Sequence, residues 1–361
     1  MATQTTPRTA TSGSGQSTVT DTRRAVEEAV RMALKPLGGS PPSFGFLFVA
    51  PRHDLGVALG VAERCAPGAS FMGCTTAGEI TERGLTRGGV AALVISSPDT
   101  AFELRTEKGV KADPASAARR LCDGFAASAK AAAGRGLGAS TTIVLADGLN
   151  GAGEELVNQI MAATRPFHQV VGGAAGDDGA FKATTVGGGT EAHGDGASVL
   201  HTFSRTPWGV GVDHGLKATT RPMRVTRAAR NVVHELDGRP AFDVYREYAE
   251  QKGVRLEPAS AGPFLIGNEL GILVFDEIKR ARAPLSVGAD GSLSCAADIP
   301  EGAHVAILGG EPRGTSRARA VQSVFPDVPV AGLLTYGEIA RFKGRLDGWH
   351  NTTAVVAAIP A

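Results

Sequence analysis

The stretch Gly73-Cys74-Thr75-Thr76-Ala77-Gly78-Glu79-Ile80 occurs a second time in this chain, as Gly332-Leu333-Leu334-Thr335-Tyr336-Gly337-Glu338-Ile339. Both copies follow the pattern G-x-x-T-x-G-E-I. An apolar run and a helical stretch precede each copy, at residues 44–50 and 55–64 for the first and 304–308 and 315–324 for the second. A β-rich run follows each, at residues 89–96 and 353–359. The repetition predicts two related halves, each built as strand, helix, strand, turn and strand.

A third and weaker copy lies between these two. Residues 141–146 form an apolar run, residues 154–164 have a helical pattern, and residues 169–171 read as a strand. The segment that follows is Gly172-Gly173-Ala174-Ala175-Gly176-Asp177. Its spacing is one residue shorter, and its acid is aspartate instead of glutamate.

Composition and charge exclude several classes of function. The chain has 361 residues, enough for two domains of ordinary size. Its 37 basic and 36 acidic residues give a formal charge of +1, so no basic face is expected for nucleic acid or an anionic membrane. No apolar run reaches the roughly 18 residues that a membrane span needs.

The N-terminal composition and the cysteine content bear on order, targeting and redox environment. Residues 1–20 are rich in Thr, Ser and Gly and predict a disordered tail without the apolar core of a signal peptide. Four scattered cysteines without C-x-x-C spacing argue against disulfides or zinc and favour a reducing cytoplasm. They are Cys65, Cys74, Cys122 and Cys295. Short strands with mixed connections predict an α+β or mixed α/β fold, with mixed β-sheets flanked by helices.

The acids and hydroxyls of the repeated turns are the first candidate functional residues. Glu79 and Glu338 each follow a glycine, where a carboxylate can bind a ligand amine or instead hold the turn together. These two interpretations carry equal weight, because duplication predicts both. Thr76 and Thr335 can donate to a ligand or cap the turn, which is the commoner role of such a threonine.

The glycine-rich stretch of the third copy, residues 172–178, is the second candidate. It fits neither G-x-G-x-x-G nor G-x-x-x-x-G-K-[ST], so it is not a recognisable nucleotide loop. Its N–H groups can contact a ligand carboxylate. A tight turn between strands is the favoured interpretation.

Histidine and cysteine give no catalytic or metal pattern. No H-E-x-x-H or close histidine pair occurs, and a lone histidine is more often structural than a haem ligand. Cys74 lies in the first repeat, but Leu333 stands at the matching position of the second, which favours a small buried thiol over a shared nucleophile. The chain contains no G-x-S-x-G and no convincing acid–base set, so a non-enzymatic protein is expected.

Three motifs in order resemble one known family. Residues 71–80 resemble the G-C-S/T-T-A-G-E-I signature of the FIST N-terminal domain, and residues 172–178 are similar to its G-G-x-A-G-D-D stretch. Residues 335–339, followed by His350-Asn351-Thr352-Thr353, resemble the T-Y-G-E-I…H-N-x-T ending of the FIST C-terminal domain. The resemblance implies an N-terminal-like domain at residues 21–190 and a C-terminal-like domain at residues 191–361. The family's usual F-S-C strand is missing upstream of the second turn.

The resemblance also carries expectations about function. It implies a cytoplasmic sensory protein that binds a small ligand such as an amino acid. Signals would pass to a separate partner, such as a histidine kinase, because the sequence contains neither an F-box nor an output domain. One subgroup of the family is a haem-dependent nitric oxide sensor, and the candidate haem ligands here are His201, His214 and His350.

The leading hypothesis is a small-ligand sensor without catalytic activity. Its pocket would form where the two related halves face each other, with the glutamates binding a ligand amine. The expected ligand-binding residues are Thr76, Glu79, Gly172, Gly173, Asp177, Thr335, Tyr336 and Glu338. Haem-based sensing of nitric oxide is the second hypothesis, and an enzyme that depends on Cys74 is the third.

Overall fold

The computed structural model describes residues 10–164, 168–213, 215–275, 277–309, 328–342, 345–351 and 354–359. These residues separate into two compact units. Unit 1 draws on residues 1–211, 314–348 and 355–361, and unit 2 on residues 212–313 and 349–354. The expected domain boundary between residues 190 and 191 therefore falls inside unit 1, and the division into two family domains stays a prediction.

The helices and strands of the described residues are numbered in chain order. The α-helices are α1 (Thr22–Leu34), α2 (Leu55–Cys65), α3 (Pro114–Leu121), α4 (Phe125–Gly134), α5 (Gly153–Ala163), α6 (Ala241–Gln251) and α7 (Gly262–Gly267). The first strands are β1 (Thr11–Ser17), β2 (Phe44–Val49), β3 (Ser70–Thr75), β4 (Glu79–Thr81), β5 (Gly84–Thr86), β6 (Val90–Ser96), β7 (Thr100–Lys108), β8 (Ala139–Ala146), β9 (Gln169–Ala174), β10 (Val186–Gly188), β11 (Glu191–His193) and β12 (Gly196–Ser204).

The remaining strands, β13 to β26, start at Gly209, close to the end of the first segment of unit 1. They are β13 (Gly209–Asp213), β14 (Lys217–Ala218), β15 (Met223–Ala229), β16 (Val232–Leu236), β17 (Arg239–Pro240), β18 (Leu270–Val274), β19 (Glu277–Arg282), β20 (Pro284–Val287), β21 (Leu293–Cys295), β22 (His304–Gly309), β23 (Ala331–Leu333), β24 (Glu338–Phe342), β25 (Arg345–His350) and β26 (Ala354–Ala358). This mixture of helices and mixed sheets confirms the predicted fold class.

Two six-stranded sheets form the centre of unit 1. Their strand orders are β1-β6-β2-β3-β10-β11 and β25-β24-β9-β8-β12-β7. Phe44 of the first sheet stacks on Phe102 of the second, with ring centroids 5.5 Å apart. Helices α1 and α2 bury their apolar sides in one core with the first sheet, and α4 packs on β12 of the second. A small sheet of order β23-β4-β5 carries the first repeated turn.

The first and third copies of the repeat have the same local architecture. Strands β2 and β3 are parallel neighbours joined by α2, and β8 and β9 are parallel neighbours joined by α5. Gly73 and Gly172 occupy equivalent positions in these two strand–helix–strand motifs. A Cβ on Gly73 would overlap the carbonyl oxygen of Leu47, and one on Gly172 would overlap that of Val144. Glycine is therefore required where these neighbouring backbones approach most closely.

The second copy is arranged differently from the sequence expectation. Its first strand, β22, belongs to unit 2 and pairs with β14, β15 and β18. The strand before its turn, β23, belongs to unit 1 and pairs with β4. These two strands are not neighbours, so the described part of this copy does not form the parallel unit of the first copy. The helical stretch expected at residues 315–324 lies outside the described residues.

The prediction of a disordered N-terminal tail is wrong for residues 11–17. Residues 11–17 form strand β1, which pairs antiparallel with β6 over seven residues, whereas composition predicts disorder as far as residue 20. A Cβ on Gly13 or Gly15 would overlap a carbonyl oxygen of α1, at Ala33 and Ala29 respectively. Small residues thus let the helix lie directly on the strand. Composition predicts disorder because the segment has few apolar side chains. Strand β1 is stabilised instead by main-chain hydrogen bonds and close backbone contact.

The segment that follows is the amphipathic helix α1. It buries a stripe of alanine and valine side chains and begins after Asp21, whose side chain accepts a hydrogen bond from the N–H of Arg24 at 2.9 Å. A short 3-10 turn, Lys35–Leu37, ends it.

Unit 2 is built around one larger sheet. Its order is β19-β18-β22-β15-β16-β21-β20, with β14 on β22 and β17 on β16. The core contains apolar residues of this sheet together with α6 and α7, among them the fully buried Tyr245 and Leu265. Strands β13 and β26 form a separate two-stranded sheet.

Candidate functional site

The first repeated turn is held by a buried threonine–glutamate pair. The Thr76 hydroxyl donates to Oε1 of Glu79 at 2.6 Å and accepts from the N–H of Gly78 at 3.2 Å. Oε2 of Glu79 accepts from the N–H of Gly89 at 3.0 Å. Both side chains are fully buried. The Glu79 carboxylate therefore stabilises the turn and the start of β6, which is the structural one of the two roles the sequence left open.

The burial of Glu79 has an electrostatic consequence. Desolvation raises the pKa of this carboxyl above its ordinary value, while hydrogen bonds from Thr76 and Gly89 oppose the rise. The negative charge of Asp178 adds to it. The charge of Asp178 thus acts on the Glu79 carboxyl at the first turn, and a positive charge placed near both groups would be stabilised.

The second repeated turn has the same internal bond in a more open setting. The Thr335 hydroxyl donates to Oε1 of Glu338, three residues later, at 2.9 Å. The Thr76 hydroxyl donates in the same way to Oε1 of Glu79. Thr335 and Glu338 are only half-buried. The two T-x-G-E turns are therefore equivalent in local geometry and different in their exposure to solvent.

Main-chain hydrogen bonds join the two turns directly. The N–H of Ala77 donates to the carbonyl of Leu334 at 3.0 Å, and the N–H of Leu334 donates to the carbonyl of Gly78 at 2.8 Å. Strand β23 then continues the pairing with β4. The first and second copies consequently meet within unit 1, as the sequence hypothesis expected for the two turns.

The glycine-rich stretch meets both turns as well. On one side, the N–H of Asp178 donates to the carbonyl of Thr76 at 3.1 Å. On the other, the N–H of Ala174 donates to the carbonyl of Gly337 at 2.7 Å, and β24 pairs antiparallel with β9. Gly173 lies against the methyl group of Thr335, so a Cβ there would come within 2.6 Å of that carbon. The three segments form one continuous junction, which we call the turn junction (residues 73–80, 172–178 and 332–339).

Asp177 organises the loop that leaves the turn junction. Its carboxylate accepts a hydrogen bond from the Tyr336 hydroxyl and three more from main-chain N–H groups. These come from Phe181 at 2.8 Å, Lys182 at 2.6 Å and Ala183 at 3.0 Å. Burial alone would raise the pKa of Asp177, but these hydrogen bonds outweigh it and lower the pKa. The carboxylate is thus saturated by its own loop.

Tyr336 links the same loop to the second turn. Its hydroxyl also accepts from the N–H of Gly179 at 2.9 Å, and its ring stacks on Phe181 with centroids 4.6 Å apart. Burial and the bond to Asp177 raise the pKa of this phenol. Phe181 is 56% exposed, so one face of the aromatic pair borders solvent.

Asp178 is the functional candidate that sequence reasoning missed. Its Oδ1 is buried and has no hydrogen-bond partner among the residues that the structure describes. Its backbone is in the left-handed region, with φ at 56°, a conformation that costs energy for a residue other than glycine. The acid was visible beside Asp177 in the sequence. Only the loop geometry distinguishes the saturated carboxylate from the open one.

All eight predicted ligand-binding residues belong to unit 1 and lie at the turn junction. The polar side-chain atoms of Thr76, Glu79, Asp177 and Tyr336 already make hydrogen bonds inside the protein. Gly172 and Gly173 contribute close backbone packing. Direct contact of these residues with a ligand stays a prediction.

The candidate haem ligand His201 is part of a buried hydrogen-bond chain. Its Nε2 donates to the carbonyl of Leu121 at 3.1 Å, and its Nδ1 is 2.7 Å from the Thr142 hydroxyl. That hydroxyl also lies 2.6 Å from Nε2 of His168. Both ring nitrogens of His201 are therefore engaged, and iron ligation would require one of these bonds to break.

The other two candidate haem ligands are His214 and His350. His214 lies outside the described residues, and for His350 the structure describes only the backbone, in β25. Cys74 is fully buried, and desolvation raises the pKa of its thiol, which disfavours the reactive thiolate.

Comparison with known proteins establishes the family. No curated protein matches the chain. Within the described residues, none of the helices combines the length and the apolar character that a membrane crossing requires. A sequence model of the FIST N domain matches residues 43–239, more than half of the 361 residues, and the match includes the first repeated turn and the glycine-rich stretch. FIST domains belong to signal-transduction sensors. The chain belongs to the FIST domain family.

Proposed function

We propose that this protein is a non-enzymatic sensor that binds a small molecule carrying an amine, such as an amino acid, at the turn junction. The family supports a sensory role in signal transduction. The site is supported by the convergence of both T-x-G-E turns and the glycine-rich stretch through main-chain hydrogen bonds. A ligand held there would contact segments from both ends of the chain at once.

The observation that carries this proposal is the open carboxylate oxygen of Asp178. A buried carboxylate oxygen without a partner among the described residues is costly, because it has lost water without gaining a donor. A protonated amine supplies both the donor and the positive charge. It would also offset the repulsion between Asp178 and Glu79, which contributes to the raised pKa of Glu79.

Asp178 and the eight predicted residues have distinct parts in this proposal. Asp178 binds the amine, and Glu79 adds negative charge from behind the first turn. Thr76, Thr335 and Glu338 hold the two turns in shape. Asp177 and Tyr336 fix the loop that carries Asp178, and Gly172 and Gly173 bring the backbones together.

We propose that a separate cytoplasmic signalling protein, such as a histidine kinase, binds the sensor and responds to the ligand. Tyr336 offers a route within unit 1, because it joins the second turn to the loop beside Asp178. A ligand that draws Asp178 inward would pull on this loop and on the exposed Phe181 stacked against it. Ligand-dependent movement of an exposed aromatic residue is a means of altering a partner-binding surface.

A thermal-shift screen tests the proposal. The panel contains free amino acids, small amines, nucleotides and hemin, because a compound that binds only the folded protein raises its unfolding midpoint in a concentration-dependent way. We expect a rise with an amino acid or amine that disappears in Asp178→Asn and persists in Asp123→Asn, a change at an exposed position. A rise with hemin alone, or none across the panel, would contradict the proposal.

A further inference from the structure

A cleft in unit 1 lies beside the turn junction and is not used by the proposed amine site. Its volume is about 410 Å³, within the range of about 300–1,000 Å³ that small-molecule sites occupy. It is lined by Ser14, Met32, Lys35, Pro36, Glu82, Arg83, Val328 and Pro329. Four of these residues present apolar surface, and three carry charge.

The close packing of α1 on β1 creates one wall of this cleft. Gly13 leaves room for the ring of Pro36, because a Cβ at that position would come within 2.9 Å of its Cδ. Lys35 and Pro36 are thereby held next to Ser14. The opposite wall is the turn between β4 and β5, which contains Glu82 and Arg83.

Glu82 ties the walls of the cleft together. Its Oε2 accepts from the Ser14 hydroxyl at 2.5 Å and from the N–H of Val330 at 3.2 Å. This one carboxylate oxygen therefore joins the N-terminal strand to the segment that leads into β23. Glu82 lies three residues after Glu79 in the chain, so the short strand β4 links the cleft to the first repeated turn.

The two cations of the cleft have no acidic partner among the described residues. Lys35 is exposed and makes no ion pair there. Among the described residues, the Arg83 guanidinium donates one hydrogen bond, to the thioether of Met32, which is a weak acceptor for a guanidinium. A guanidinium and an ammonium around one cleft favour carboxylate or phosphate groups.

We propose that this cleft binds a second ligand, a small molecule with an anionic group and an apolar body. Lys35 and Arg83 bind the carboxylate or phosphate, and the apolar body packs on Met32, Pro36, Val328 and Pro329. The site is separate from the amine site and does not depend on it. Ligand binding in the cleft would alter the conformation of the first repeated turn through Glu82 and β4.

Calorimetric titration with two matched probes tests this site and separates the sources of the anion. Benzoate and phenyl phosphate share an aromatic body and differ in the anionic group, and benzyl alcohol is the neutral control. We expect at least one of the two anions to bind more than tenfold more tightly than benzyl alcohol. The tighter anion identifies whether carboxylate or phosphate is preferred.

Variants locate the binding. Lys35→Gln combined with Arg83→Gln should weaken the tighter probe at least tenfold, while Arg87→Gln, an exposed change on the same hairpin outside the cleft, should alter affinity less than twofold. Asp178→Asn should leave anion affinity unchanged, so failure of the amine site does not affect this result. Absence of binding by both anions, or an equal loss in Arg87→Gln, would overturn the proposal.

Discussion

At the scale of single residues, the two repeated turns use one hydrogen bond in two environments. The bond from threonine to glutamate is 2.6 Å between Thr76 and Glu79 and 2.9 Å between Thr335 and Glu338. The first pair is fully buried and the second half-buried. Equal chemistry with unequal burial predicts unequal energetic cost when the bond is removed, because water can replace a lost partner only where it has access.

Replacing each threonine by valine measures this difference. Thr76→Val should lower the free energy of unfolding by about 1–3 kcal/mol, because it removes the hydrogen bond to Oε1 of the buried Glu79 carboxylate and the acceptor of the N–H of Gly78. Thr335→Val should cost less than about 1 kcal/mol. Urea unfolding of the two variants checks the order, and equal losses would contradict the assignment.

The buried His201 predicts the acid sensitivity of the fold. Because Nε2 of His201 donates to a carbonyl, a neutral ring must accept at Nδ1 from Thr142. Burial lowers the pKa of His201 below its ordinary value of 6.5. In the unfolded chain the ring binds a proton near pH 6.5, while in the folded protein it does so only at lower pH.

Stability should therefore be complete above about pH 7 and fall as the pH drops from 6.5 towards the lowered pKa of the folded state. The contribution of this group has a maximum slope of about 1.4 kcal/mol per pH unit. Denaturant unfolding between pH 8 and pH 5 measures it. His201→Gln should flatten the slope relative to the unmodified protein, whatever its stability at pH 8, and an unchanged slope would refute the assignment.

At the scale of secondary-structure elements, the chain reuses a parallel strand–helix–strand unit. The unit occurs as β2-α2-β3 and again as β8-α5-β9, with Gly73 and Gly172 at the same register position. Apolar runs and helical spacing were sufficient to predict these elements from the sequence. The equivalence of the two glycines follows only from the strand register.

Gly172→Ala tests the close approach of these backbones. The added Cβ would meet the carbonyl of Val144, so we expect a loss of about 3 kcal/mol in the free energy of unfolding. Gly134→Ala in α4 is the control, because its Cβ meets no atom within 4 Å, and it should be neutral or stabilise by up to about 1 kcal/mol. Similar effects at both positions would contradict the packing described for β9.

Strand β1 is the element that the amino-acid composition does not predict. It has no large apolar side chain, and its partner β6 lies about 80 residues further along the chain, so neither periodicity nor local turn chemistry indicates it. What holds it is seven residues of strand pairing and the contact of Gly13 and Gly15 with α1.

Gly15→Ala should loosen this strand, since its Cβ would overlap the carbonyl of Ala29. We expect amide hydrogens of β6 that face β1 to exchange at least tenfold faster, because an edge strand that detaches leaves its neighbour open to solvent. Ser12→Ala in the same strand is the control. Unchanged protection of β6 in Gly15→Ala would contradict the role given to the small residues.

At the scale of the whole molecule, the sequence predicted the mixed fold, the family and the residues of the turn junction. It did not predict that β22 and β23 belong to different compact units, because that separation depends on non-local strand pairing. The sequence analysis names Asp177 as a ligand-binding residue, and this stays a prediction. The proposed amine site uses the adjacent Asp178 instead, because its backbone is left-handed and its Oδ1 lacks a partner among the described residues, which one sequence does not reveal.

The most direct test of an amine site at the turn junction is calorimetric titration of the protein with the amino acid or amine that raises its unfolding midpoint. We expect one binding site per chain, with affinity reduced at least tenfold in Asp178→Asn and unchanged within twofold in Asp123→Asn. Equal affinities in the unmodified protein and Asp178→Asn would contradict an amine-binding site at the turn junction.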